Sequence, residues 1–270
     1  EPFVTVSVGM PGDHHVRKAF IESDECVNCN LCIPVCPTDA IPKSLVISED
    51  LCIGCGNCEA VCPPAASAIR YRHNDKELQT ILPQCVAAGA ESIELHAGVP
   101  DESTTRSEWS IVSECLPNGM ISMCLDRGHL SNLHLMDRIK MAKSIASDRL
   151  IIQADGIPMS GGTDTFNTTL QAISIADIIT KQLIRKDRKF WRLPVLISGG
   201  TNSLTGDLAR QCNVPFAGIT IGTHARSVVK KELPDVDFYI DSPITSVAVN
   251  KAHALIMSNV EHKNILSRIK

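Results

Sequence analysis

The sequence predicts an α/β protein: a (β/α)8 TIM-barrel-like domain interrupted by a small cysteine-rich α+β module. Three observations carry that prediction. Short apolar runs alternate with helical stretches through most of the 270 residues, the pattern of parallel strands covered by helices. Eight of the 12 cysteines fall between positions 26 and 62. One β-branched run, Phe3–Val8, precedes those cysteines and all the others follow them, so the module reads as an insertion after the first visible strand.

The elements follow in order. Phe3–Val8 is a strand stopped by Gly9, since β-branched runs bounded by glycine favour extended backbone. After the cysteines, Glu77–Ala90 reads as a helix, Ser92–Ala97 as a strand and Thr104–Leu116 as a helix ending before Pro117. Met120–Leu125 is a strand, Ser131–Ser147 a helix, and Arg149–Ala154 a strand stopped by Asp155-Gly156. A long helix over Phe166–Lys186 precedes the strand Pro194–Ser198, which Gly199-Gly200 ends. Leu204–Gln211 is a short helix, Phe216–Ile221 a strand, and helices open near His224 and over Ile244–Val260. Asp237–Ile240 is read as a connection. That gives six strands where a closed barrel needs eight, so two more are expected ahead of Phe3. The chain opens with Glu1, which fits a protein that continues in that direction. The barrel-like domain is expected over residues 1–9 and 79–270, and the inserted module over 10–78.

The cysteine spacing carries the chemistry. Cys26, Cys29, Cys32 and Cys36 precede Pro37, and Cys52, Cys55, Cys58 and Cys62 precede Pro63. Each run is C-x2-C-x2-C-x3-C-P, and a shift of 26 residues maps one on the other. Three thiolates at this spacing curl around one iron–sulfur cube while the fourth reaches the other cube. Two [4Fe-4S] clusters are therefore expected, one on Cys26, Cys29, Cys32 and Cys62, the other on Cys52, Cys55, Cys58 and Cys36. Gly54 and Gly56 allow close backbone approach, and the two prolines end each loop. Zinc is the competing ion, but its sites use paired cysteines without the third member or the proline. The segment resembles bacterial-type ferredoxins over about residues 20–72. The scattered Cys85, Cys115, Cys124 and Cys212 are expected to be buried, inert thiols, with a redox role for Cys124 as the competing reading.

Composition excludes several classes. A net charge of −4 argues against broad nucleic-acid binding, and 4% aromatic residues leave little for base stacking. No apolar run approaches the roughly 18 residues that span a bilayer. Residues 10–78 hold ten acids and six bases, an acidic face suited to steering a basic redox partner or simply to solubility.

Polar residues gather at the predicted strand ends, where a barrel keeps its active site. They are Glu94, His96, Asp126, Gln153, Asp155, Asn202 and His224. Glu94, His96 and Asp155 are the candidate catalytic residues, against a satisfied buried pair for the first two and a turn cap for the third. Gly199, Gly200, Thr201, Gly222 and Thr223 close the last two strands. They form the candidate site for a phosphate or for flavin mononucleotide (FMN), because such loops present N–H groups to anions; the competing reading is a plain strand-to-helix turn. Asp155–Gly162 is a polar, glycine-rich loop long enough to fold over a ligand. Asp13, His14, His15, Arg17 and Lys18 face that rim or link to the module.

The combination resembles the light-dependent-period (LdpA) family of cyanobacteria and plastids. The resemblance rests on residues 6–8 and 13–20, on Ile93-Glu94-Leu95-His96, on residues 153–161 (QADGIPMSG), on residues 198–202 (SGGTN) and on residues 218–226 (GITIGTHAR). It covers about residues 3–232, with nothing recognised after Leu233. It implies an iron–sulfur protein that passes cellular redox state to the circadian clock, in cyanobacterial cytoplasm or plastid stroma. Three functions stay open: a redox sensor or electron relay acting on a partner protein of the clock or photosynthetic machinery; an oxidoreductase whose clusters feed a flavin in the barrel mouth; or a subunit of a larger redox assembly. Whether the chain is an enzyme is left open by its residues.

Overall fold

The computed structural model describes residues 3–10, 17–49, 51–52, 54–72, 77–128, 130–156, 165–229 and 243–260. Six strands join one mostly parallel sheet: β1 (Thr5–Gly9), β4 (Ser92–His96), β5 (Met120–Leu125), β6 (Leu150–Asp155), β7 (Val195–Ser198) and β8 (Gly218–Ile219), in that order. A separate antiparallel ribbon joins β2 (Lys18–Ile21) to β3 (Ile69–Arg72). Between strands lie α2 (Glu77–Ala87), α3 (Glu102–Cys115), α4 (Asn132–Ala146), α5 (Thr165–Ile179) and α6 (Thr205–Gln211); α7 (Thr223–Val229) and α8 (Pro243–Val260) follow β8, and the five-residue α1 (Asn57–Val61) belongs to the cysteine module. The eight-stranded barrel expected from the sequence is not seen closed: among the described residues β1 and β8 are the two ends of the sheet. Six strands fall short of the eight whose tilt and stagger close such a barrel. No helix among the described residues is long and apolar enough to cross a membrane.

The chain divides into two compact units, Glu1–Ile121 and Ser122–Lys270. In the first, β1 runs parallel to β4 with Thr5 opposite Ser92 and Gly9 opposite His96. Ile93 and Leu95 are fully buried, while Ser92, Glu94 and His96 alternate with them on the other face, as the two-residue period of a strand requires. Helix α3 starts where the Asp101 carboxylate accepts from Ser103 N (2.9 Å) and Thr104 N (3.2 Å). The Thr104 hydroxyl, first among these donors, holds the Asp101 carboxyl down to about 2. The helix buries Trp109 and Val112. The ribbon and the cysteine loops have a core of their own, built on Ala19, Ala40, Ile41, Cys52, Cys58 and Ile69.

In the second unit, β6 pairs in parallel with β7, and β7 with β8. Strand β8 is only two residues long, against the six expected, yet Ala217 N still donates to Val195 O (2.8 Å) and Thr220 N to Ile197 O (2.9 Å). The expected long helix stops at Ile179 and continues as one π turn over Thr180–Ile184. The segment Asp237–Ile240, read as a connection, lies outside the described residues. Helix α8 is fixed by Asn259, 8% exposed, whose Oδ1 accepts from Gly206 N (2.9 Å) while its Nδ2 donates to Asn202 O (3.3 Å). Replacing Asn259 with Ala removes the acceptor of Gly206 N–H, while Asn202 O keeps the Thr205 N–H (3.3 Å). The expected cost is about 1–3 kcal/mol, the usual penalty for orphaned buried polar groups, read as a lower urea midpoint at unchanged slope.

Candidate metal centre

The cysteine loops hang between β2 and β3, and their backbone repeats with the sequence. Asn28 and Asn30 have φ of 55° and 60°, and their counterparts 26 residues on, Gly54 and Gly56, have φ of 65° and 83°. Both loops thus make two left-handed residues at equivalent places. Only Gly, Asn and Asp visit that region readily, so the first loop reaches with asparagine what the second reaches with glycine. The sequence flags Gly54 and Gly56; it gives the same signal at Asn28 and Asn30 once the two runs are aligned.

These turns point the thiols inward. One cavity is lined by Cys26, Cys29, Cys32 and Cys62, with Ile21, Leu45 and Ile69 among its apolar walls. A second is lined by Cys36, Cys52, Cys55 and Cys58, with Ala19, Ile41 and Ile47. Each cavity therefore combines three cysteines of one run with the last cysteine of the other. All eight are free thiols. Backbone N–H groups aim at the sulfurs: Ala40 N at Cys36 Sγ and Ala68 N at Cys62 Sγ (both 3.3 Å), Ala19 N at Cys52 Sγ (3.4 Å) and Asn28 N at Cys26 Sγ (3.5 Å). Soft thiols in apolar cavities with N–H donors on sulfur are the surroundings that suit an iron–sulfur cluster, so the residues present fit that group.

The thiols differ in acidity. Burial, then the negative charge of neighbouring Cys55 and Cys52, pushes Cys58 up to about 11 against an opposing hydrogen bond from Glu59 N–H. Burial likewise raises Cys32, with smaller contributions from Cys29, Cys26 and Cys62. At Cys36 burial is outweighed by the backbone and hydroxyl of Thr38 and by the N–H groups of Ala40 and Ile41, which lower it. Two cations brace the second loop: Lys18 Nζ donates to Cys52 O (2.6 Å) and Arg17 Nε to Gly54 O (3.1 Å).

The other candidates fare unevenly. Glu94 Oε1 and His96 Nε2 lie 3.2 Å apart with side chains 14% and 15% exposed, a paired arrangement within the first unit. In the second unit Asp155 is buried at the end of β6, with Gly199 packed against it: a Cβ there would stand 2.2 Å from Asp155 Oδ1. A Cβ on Gly200 would stand 2.2 Å from Thr168, so the glycine pair serves a close chain crossing. Four donors of the following loop are engaged. Asn202 N donates to Thr205 Oγ1 (2.8 Å), Leu204 N to Asn202 Oδ1 (2.8 Å), Gly206 N to Asn259, and the Thr201 hydroxyl to Thr220 O. Gly222 and Thr223 open α7. Gln153 donates to Ser122 Oγ (3.0 Å) and accepts from Thr220 Oγ1 (3.3 Å), and Asp126 closes a turn by accepting from Gly128 N (2.6 Å). The His224 carbonyl accepts from Ser227 Oγ (2.7 Å). Asp13, His14, His15 and the loop Ile157–Gly162 lie outside the described residues. Of the scattered cysteines expected to be buried, only Cys124 is; Cys85 and Cys115 are half-buried, and Cys212 is exposed. Cys212 is displaced outward because it caps the end of the short helix α6.

Comparison with known families agrees with this geometry. Residues 19–41 and 45–66 each match the 4Fe-4S binding domain, one cysteine run apiece. The chain therefore has the [4Fe-4S] electron-transfer module of an iron–sulfur protein. Residues 85–264, more than half the chain, match the Light dependent period A C-terminal domain. The chain belongs to the light dependent period A family. No curated protein matches it.

The asparagine turns generate a prediction. Asn30→Gly keeps the left-handed turn, whereas Asn30→Val forces a β-branched residue into it at a cost of about 1–2 kcal/mol. After anaerobic reconstitution the glycine variant should bind as much iron as the wild type, and the valine variant measurably less.

Proposed function

We propose that the chain is a redox relay or sensor that handles single electrons at two [4Fe-4S] clusters and reports redox state to a partner protein. Cys26, Cys29, Cys32 and Cys62 hold one cluster, and Cys52, Cys55, Cys58 and Cys36 the other. The observation that carries this reading is the exchange of the fourth cysteine between the two cavities, the ligation habit of two-cluster ferredoxins. When bound, a four-iron cluster supplies a one-electron couple. The chain's own part is to hold eight thiolates in place, to aim N–H groups at the sulfurs and to keep water off the inner walls. Residues 10–78 form the inserted module, and residues 1–9 and 79–270 the barrel-like domain. The family resemblance supports a component of the clock or of photosynthesis as partner, in cyanobacterial cytoplasm or plastid stroma.

The test is an anaerobic absorption spectrum of the purified protein, with iron, sulfide and flavin quantified on the same sample. About eight iron and eight sulfide per chain are expected of two four-iron clusters. Stoichiometric flavin would instead direct attention to the strand ends of the second unit. In Cys29→Ala, one cluster should be lost and the other weakened, because Cys36 and Cys62 tie the loops together. An unchanged iron count in that variant would overturn the ligand assignment.

A further inference from the structure

Two loops related by a 26-residue repeat would offer their clusters equal surroundings if the repeat extended to the charges around them. It does not. The loop of Cys52, Cys55 and Cys58 has two cations hydrogen-bonded to its backbone, Lys18 on Cys52 O at 2.6 Å and Arg17 on Gly54 O at 3.1 Å. The Arg17 guanidinium is held flat, 4.0 Å from the ring centre of Tyr71. Tyr71 is itself fixed by donating to Glu59 Oε2 (2.8 Å). Gly56 leaves the space this needs, since a Cβ there would stand 3.1 Å from Arg17 Nη2. Near the other loop Arg70 donates to the carbonyls of Ser67 and Ile69 (3.1 Å to the latter) and is paired with Glu25 at 2.6 Å, both about half exposed. A solvent-exposed pair of that kind contributes little net field.

We propose that Arg17, supported by Lys18, is a potential-tuning residue that raises the reduction potential of the cluster on Cys52, Cys55, Cys58 and Cys36. This rests on the two-cluster reading above. Reduction adds one electron, drawn from a soluble one-electron donor, and so adds one negative charge to a cluster already ringed by four thiolates. Burial opposes that change, and Cys52 and Cys58 are buried whereas Cys29 is exposed. Cations held on the loop's carbonyls favour it, and their effect is greater where water is excluded. Arg17 and Lys18 thus offset the burial of the inner cluster and let it hold the electron that arrives at the exposed one.

The experiment is a dithionite titration of the anaerobically reconstituted full chain, followed by electron paramagnetic resonance. Arg17→Gln keeps a donor for Gly54 O but removes the charge; Arg17→Lys keeps the charge. With iron content unchanged, Arg17→Gln should move one reduction wave to lower potential and leave the other in place, and Arg17→Lys should restore most of that shift. Arg70→Gln should move neither wave by a comparable amount. Both waves unmoved in Arg17→Gln at full iron content would overturn the proposal. So would loss of iron from Arg17→Gln, which would make Arg17 a structural staple. A wild-type iron count far below eight, the number two four-iron clusters require, would instead overturn the two-cluster reading, and this inference with it.

Discussion

The exchange of Cys36 and Cys62 between the two thiol cavities is the constraint on which the module depends. Neither loop makes a complete four-cysteine set alone, so the two must fold together. The exchange also determines what lies between them. Ala40 and Ala68 each follow the crossing cysteine and send an N–H back to its sulfur at 3.3 Å. The same stretches bring Ala40, Ile41 and Ile69 into one small core with Cys52 and Cys58. A segment this short buries too little apolar surface to be stable on hydrophobic burial alone. Ligation, which couples folding to metal binding, is the physical means of closing that gap.

Burial and charge act against each other in this module. The apolar walls that exclude water lift Cys58 to about 11, so a bare thiolate there is disfavoured. Bound iron would resolve the conflict by taking the proton's place, since thiolate sulfur is the ligand form. The arrangement at Cys36 works in the opposite direction: four hydrogen bonds outweigh burial and lower its pKa. Local donors thus favour the anionic form at the crossing cysteine of the first run, whereas burial disfavours it at Cys58 in the same cavity.

Much of this was legible from spacing, because C-x2-C-x2-C-x3-C-P permits few alternatives. The crossed grouping of the thiols and most of the strand and helix order followed from the residues alone. The left-handed role of Asn28 and Asn30 was visible only after aligning the runs, since asparagine is ambiguous where glycine is not. Arg17 and Lys18 were seen as rim or linker residues, because nothing local to them says that they reach carbonyls 34 and 37 positions away. The shortness of β8 was hidden for a related reason: Phe216–Ile221 has strand composition, but a sheet's end strand has a partner on one side only. Asn259 is a third case, one of several polar residues on α8, whose partners lie more than fifty positions back.

The glycine pair at the end of β7 shows why such turns are ambiguous. A loop that cradles an anion and a loop that lets two chain segments cross closely both require glycine at positive φ. What separates them is where the N–H groups go. Here the donors of Asn202, Leu204 and Gly206 are bonded to Thr205, Asn202 and Asn259, and Gly199 and Gly200 clear space for Asp155 and Thr168. Donors already satisfied inside the protein gain little from an anion, which would have to displace partners already in place. At Asn202, Leu204 and Gly206 the donors therefore serve the packing of this strand end. In the cysteine module, by contrast, soft thiols and N–H donors line the cavities, with two cations beside the Cys52 loop.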